Sequence, residues 1–215
     1  MKIRGASELI DYLAGERAWR RVELTSIANA LAKISSRDPK IRERRNAIVF
    51  SYAHWEGFVK NASIAYLKCI FSKSRPFSSL AANLQALVCR QELLVAQGAT
   101  RRINPHLAVV SRLVDCRDFN CSADASQLID TESNLNAEVF ADICISVGID
   151  FASRWATWGP FMNDLVRYRC QIAHGEFFEP EEDFSQECVD FVIKAMDSYA
   201  TDLENMVLQG VFLRQ

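Results

Sequence analysis

Residues 160–175, Pro-Phe-Met-Asn-Asp-Leu-Val-Arg-Tyr-Arg-Cys-Gln-Ile-Ala-His-Gly, decide how the rest of the chain is read. Pro160 suits the first position of a helix, where its missing N–H is not needed. Asn163 and Asp164 set polar and negative groups near the positive end of the helix dipole. Gly175 suits the left-handed residue that closes a helix, and the acidic, Pro-containing residues after it do not continue one. The stretch therefore predicts one helix with Arg167, Arg169 and His174 in its last two turns. Five steps of about 100° set Arg169 and His174 roughly 140° apart. A ligand touching both must lie across the helix end or at a junction with another helix.

Upstream, Pro39 to Phe71 predicts a long helix, because Ile48, Tyr52, Trp55, Val59, Ala62, Tyr66 and Cys69 recur at three- and four-residue steps. Residues 6–34 are also helical in spacing, with Gly15 expected to split them into a short and a longer helix. Leu80 to Ala96 reads as a helix, and Leu107 to Leu113 as either a short helix or an apolar strand. Residues 116–136, rich in Asp, Asn and Ser, read as an irregular loop. Asn and Glu between 133 and 144 cap and begin a further helix that Gly148 ends. Asp183 and Gln186 are spaced as a capping box for a last helix, whose buried stripe runs Phe184, Cys188, Phe191, Ala195, Tyr199, Leu203, Met206.

Three blocks together resemble a known family. Arg-Cys-Gln-Ile-Ala-His (169–174) is similar to the Arg-x(4–6)-His signature of the HEPN superfamily of all-α proteins, many of them metal-independent ribonucleases. The spacing alone is weak, since Arg101 and His106 share it, and Arg167 fits its looser form. Residues 45–60, containing Tyr-Ala-His-Trp-Glu-Gly-Phe, resemble the first conserved helix of the RiboL-PSP or MAE-type branch, and Asn-Leu-Asn at 134–136 resembles a third block. The resemblance implies a single domain over 1–215: an all-α, HEPN-like helical bundle in which 73–132 is a helical and irregular insertion. It implies Arg169 and His174 as the catalytic pair, with Arg167, Cys170, His54 and Glu56 as supporting positions. The chain departs from many catalytic members in having Cys170 where a polar residue, often Asn, follows the Arg.

RNA carries its own nucleophile, the 2′-hydroxyl, so its cleavage requires no metal. A histidine moves protons near neutral pH, and the dipole at a helix C-terminus favours a cation. The planar fork of an arginine suits two phosphate oxygens. One histidine is half of an acid/base pair, and the resemblance implies a homodimer whose two-fold axis joins two Arg/His pairs in one cleft. It also implies an endoribonuclease toxin of a toxin–antitoxin or phage-defence system, silenced by a cognate antitoxin or modified by a nucleotidyltransferase partner. The alternative is a non-catalytic helical module that binds nucleotide, RNA or a protein. For Arg169 and His174 the plain alternative is a helix-end charge cluster with Glu176. For His54 it is a buried, hydrogen-bonded histidine, and for Glu56 a surface ion pair with Lys60.

Composition narrows the remaining classes. The seven cysteines are scattered, with no Cys-x-x-Cys, and the three histidines do not complete a zinc set, so no metal, disulfide framework or cofactor is expected. A net charge of −2 argues against a broadly basic nucleic-acid coat. Apolar runs are too short to span a membrane, and the N-terminus lacks a secretory core, so a cytoplasmic location is expected.

Overall fold

The computed structural model describes residues 3–73, 75–99, 101–115, 124–181 and 183–214. These form helices α1 (Ala6–Ala32), α2 (Arg37–Phe71), α3 (Ala82–Val88), α4 (Arg90–Gly98) and α5 (Ile103–Asp115). They are followed by α6 (Ala137–Val147), α7 (Phe151–Arg154), α8 (Gly159–Ala173) and α9 (Phe184–Gln209). Among the described residues there is no β-strand, only an isolated bridge between Leu80 and Leu213. The all-α class that the resemblance implies is the class found among the described residues.

The long α2 forms the centre because its apolar stripe is continuous. Ile48, Tyr52, Trp55, Val59, Ala62, Tyr66 and Cys69 are all buried, and α1, α8 and α9 pack around them. Trp55 is fully buried, with its ring 5.1 Å from Phe140 of α6 and 6.4 Å from Tyr199 of α9. Some polar groups inside this core are paired, whereas Ser51 Oγ, Trp55 Nε1 and Tyr66 OH are buried without a hydrogen-bond partner among the described residues. The Ser63 and Tyr199 hydroxyls lie 2.7 Å apart, and buried Asp202 accepts from Arg154 Nε at 2.8 Å and Trp155 Nε1 at 2.9 Å.

Gly15 does not split α1. Its Cα faces open space, while Leu9, Leu13, Arg20, Leu24 and Leu31 form one buried stripe on both sides of it. Packing along that stripe outweighs the roughly 1 kcal/mol that a mid-helix glycine costs relative to alanine. The segment 80–96 divides instead, at Cys89, because α3 packs on α6 while α4 packs on α5. The stretch 107–113 is helical, within α5. The capping box at Asp183 is absent: its backbone is already helical, its side chain makes no cap bond, and Gln186 donates to Asp190 at 3.2 Å. Pro160 stands second in α8, behind Gly159.

Of residues 73–132, Phe77, Leu80, Leu84, Leu87 and Ala125 are buried in the core, whereas α4 and α5 expose apolar side chains such as Leu94 and Leu107. Part of the predicted irregular loop, 116–123, lies outside the described residues. The remainder contains a 3-10 turn at Ala125–Gln127 and then an irregular run to α6 with a turn at 132–133.

His54 belongs to the contact between α1 and α2. It is buried, its Nε2 lies 3.2 Å from Glu23 Oε2, and its ring packs 5.4 Å from Trp19. Nearby, Arg20 Nη1 bonds Glu16 Oε2 at 2.7 Å, and Nη2 lies 3.5 Å from where a Cβ on Gly57 would stand. A Cβ there would make only an ordinary van der Waals contact, so no close approach requires the glycine. Burial holds the His54 pKa below its ordinary 6.5, with Glu23 opposing the shift. The unfolded chain then binds more protons than the folded one between the depressed folded value and 6.5. Stability from His54 is therefore present above 6.5 and lost as pH falls through that window. Denaturant midpoints measured between pH 7.5 and 5 are expected to fall more steeply for wild type than for His54→Gln; equal slopes would contradict this.

Candidate active site

Helix α8 ends in a Schellman motif. Glu176 N–H donates to Gln171 O at 3.0 Å and Gly175 N–H to Ile172 O at 3.1 Å, with Gly175 at φ +76°. His174 is thereby the C-cap residue, and its exposed ring makes no hydrogen bond among the described residues. The chain just beyond is tied down as well: Arg45 of α2 donates from Nη2 to Glu176 O at 3.1 Å.

Arg169 sits one and a half turns earlier and leans the other way, onto α2 and the run before α6. Its Cζ lies 4.0 Å from the centre of the Tyr52 ring, a cation–π contact. Its Nη2 donates to Ser133 O at 2.9 Å and to Asn134 Oδ1 at 3.4 Å, while Nε is buried without a protein partner among the described residues. Tyr52 is itself locked, since its hydroxyl accepts from Leu135 N–H at 2.8 Å. Burial is the main cause that pushes that hydroxyl above its ordinary value of 10, with the bond from Leu135 opposing it, so the ring under Arg169 stays a neutral phenol.

Residues 130–136 are shaped to meet the guanidinium. Glu132 and Ser133 have left-handed backbones, φ 53° and 52°, a conformation that costs a non-glycine residue on the order of 1–3 kcal/mol. Glu132 N–H donates to Asp130 Oδ1 at 2.8 Å, and Thr131 Oγ1 donates to Glu56 Oε1 at 2.8 Å. Asn136 caps α6 by accepting from Val139 N–H, and Asn163 of α8 accepts from Ala137 N–H, both at 2.9 Å. These bonds hold the bend that aims the Ser133 carbonyl at Arg169.

The residues singled out from sequence divide into two sets. Arg169 and Cys170 meet the same loop, Cys170 Sγ donating to Asn134 Oδ1 at 3.7 Å. A carboxamide therefore does stand beside this position, contributed by Asn134 instead of by the residue after the Arg. Glu56 supports that loop through Thr131. It lies about 40° around α2 from Tyr52, whereas His54 lies about 200° from Tyr52 and faces α1. Arg167 points away too: it pairs with Asp164 at 2.6 Å and covers the Tyr168 ring at 4.3 Å. His106, the other histidine at the signature spacing, lies 3.1 Å from Ala99 O in its own segment. Tyr52 and Ser133 escaped the sequence reading, because Tyr52 looks like any other core position of α2 and a backbone carbonyl carries no sequence signal.

The resulting geometry is a guanidinium fixed by ring, carbonyl and carboxamide, with an unengaged imidazole at the end of the same helix. Among the described residues no group of three His, Cys, Asp or Glu side chains is placed to hold a metal ion. The five described cysteines are free thiols, and burial raises those of Cys69, Cys144 and Cys188. No helix of the described residues is long and apolar enough to cross a membrane.

Comparison with known families agrees with this architecture. The model of the RiboL-PSP-HEPN family matches residues 16–205, most of the chain and all of the site above. The chain belongs to that family. HEPN domains are commonly RNases, and membership points to a nuclease or RNA-related module. No curated protein and no solved structure matches the chain.

Proposed function

We propose that this HEPN protein is a metal-independent endoribonuclease in which Arg169 and His174 act on one scissile phosphate. The observation that carries the reading is the pairing of a pre-oriented Arg169 with an exposed His174 at the end of the same helix. The 2′-oxygen loses its proton and attacks phosphorus, the bond to the 5′-oxygen breaks, and that oxygen takes a proton. The products are a 2′,3′-cyclic phosphate and a 5′-hydroxyl. Arg169 neutralises the charge that builds on the phosphoryl oxygens, and His174 protonates the leaving 5′-oxygen. The base is supplied by the same histidine of a second copy, so the working species is a homodimer with a composite cleft. In the cell this reading makes the protein a cytosolic toxin of a toxin–antitoxin or phage-defence system, held silent by a cognate partner.

Digestion of mixed RNA by the purified protein in EDTA tests the reading directly. New 2′,3′-cyclic phosphate ends are expected; RNA retained intact on a folded protein would instead identify a binding module. Arg169→Lys adds a sharper probe. A lysine keeps the charge but loses the fork that meets Ser133 O and the flat face that covers Tyr52. Cleavage is expected to fall on the order of 10- to 100-fold in kcat, measured on the folded fraction because the lost contacts also lower the melting temperature. Unchanged kcat would remove Arg169 from the chemistry.

A further inference from the structure

Between Gly175 and Glu179 the loop that follows His174 is clamped on both sides of Phe177. Glu176 is held through its carbonyl by Arg45, Phe178 stacks on Tyr168 with ring centres 4.5 Å apart, and Glu179 pairs with Arg37 at 3.2 Å. Between them Phe177 stands 88% exposed. Phe178 is anchored inward on Tyr168 while its neighbour Phe177 faces outward. An aromatic ring displayed by a loop fixed on both sides is not a frayed end.

Phe177 walls a groove of about 420 Å³ whose other lining includes Ile172 of α8 and Asp38, Arg42, Arg45 and Asn46 of α2. The groove thus has an aromatic face, two guanidiniums and the Asp38 carboxylate, which can bond the edge of a flat heterocycle; the Asn46 amide donates to Glu43 at 3.2 Å and Arg45 to Glu176 O at 3.1 Å. It lies over the first three turns of α2, whose N-terminal dipole favours negative charge. Of the nearby acids, Glu179 is engaged by Arg37 and Glu43 pairs with Arg42 at 3.2 Å, a surface pair weak enough for a phosphate to displace. Ile172 and Phe177 stand two residues before and three after His174, so the groove lies at the end of α8 that carries the imidazole, although His174 is not among its lining.

We propose that this groove is a base-stacking subsite for single-stranded RNA: a base lies on Phe177 and a flanking phosphate meets Arg42. Base–aromatic stacking with a cationic track is how single strands are held without sequence readout. The assignment rests on the ribonuclease reading for its position next to the cleavage site, but not for its binding chemistry.

The test is the affinity of the full chain carrying His174→Ala, which leaves the RNA intact, for a labelled single-stranded oligoadenylate by fluorescence anisotropy. Adding Phe177→Ala is expected to weaken binding about 5- to 100-fold, and Phe177→Trp to retain it. The exposed position makes both variants fold as the parent does. Equal affinity for the Phe177→Ala and parent proteins, or no binding by the parent, overturns the subsite. So does an affinity loss that tracks loss of dimer in sedimentation, which would assign Phe177 to a contact between copies. Phe177-dependent binding by a wild-type protein that never cleaves RNA keeps the subsite and removes the ribonuclease reading. Cleavage with Phe177-independent binding does the reverse.

Discussion

His174→Ala is expected to reduce RNA cleavage by about 100- to 10,000-fold, the range that one acid/base group contributes. The ring is exposed and bonded to nothing among the described residues, so its removal takes no support from the fold. The cap itself is made by backbone bonds to Gly175 and Glu176, which alanine keeps. Circular dichroism and melting temperature are therefore expected to match wild type, with the loss confined to kcat. The pH–rate profile should also change shape, because the variant lacks the side chain assigned to move the proton. Cleavage by the variant at the wild-type rate would refute the catalytic role and leave Arg169 as a binding residue or a tie between α8 and the 130–136 run.

Trp55→Ala is expected to destabilise the protein by about 3–5 kcal/mol, the cost of emptying a fully buried aromatic site. Trp55 touches rings from three other elements: Phe140 of α6, Trp155 after α7 and Tyr199 of α9. No single neighbour can collapse into the space without leaving another. The consequence reaches the site, since Trp55 is one turn from Tyr52, the ring beneath Arg169. Urea denaturation should show a lower midpoint with the slope preserved, and residual cleavage should fall more than the folded fraction does. A loss of unfolding free energy under about 1 kcal/mol would mean that the four-ring cluster is looser than its distances imply.

The pattern of success in the sequence reading follows from how far each signal acts. The seam of α2 was legible because a helix repeats its buried face every 3.6 residues, and the residues that define the period lie within one segment. The end of α8 was legible for a similar reason: Gly175 takes φ +76°, which few other residues adopt at low cost, and its neighbours complete the motif by local bonds. Gly15 and Asp183 misled because their preferences are worth about a kilocalorie or less. Packing of the α1 stripe decides the first, and the second enters α9 with helical backbone, out of the geometry a cap needs. His54 and Glu56, two residues apart, could not be sorted by sequence either, since which side of α2 faces Arg169 depends on where α1 and α8 dock.

From sequence alone came the all-α class, the central helix, the family, and Arg169 and His174 on one helix. Each rests on short-range periodicity, a local cap or a contiguous motif. Only the tertiary structure decided that Arg169 lies on Tyr52, that its fork meets the Ser133 carbonyl, and that Asn134 brings a carboxamide to Cys170. Those contacts join residues 35 or more positions apart in the chain. No local preference encodes such a meeting; it exists because α2, α8 and the run before α6 bury their apolar faces together and so bring their polar edges to one place.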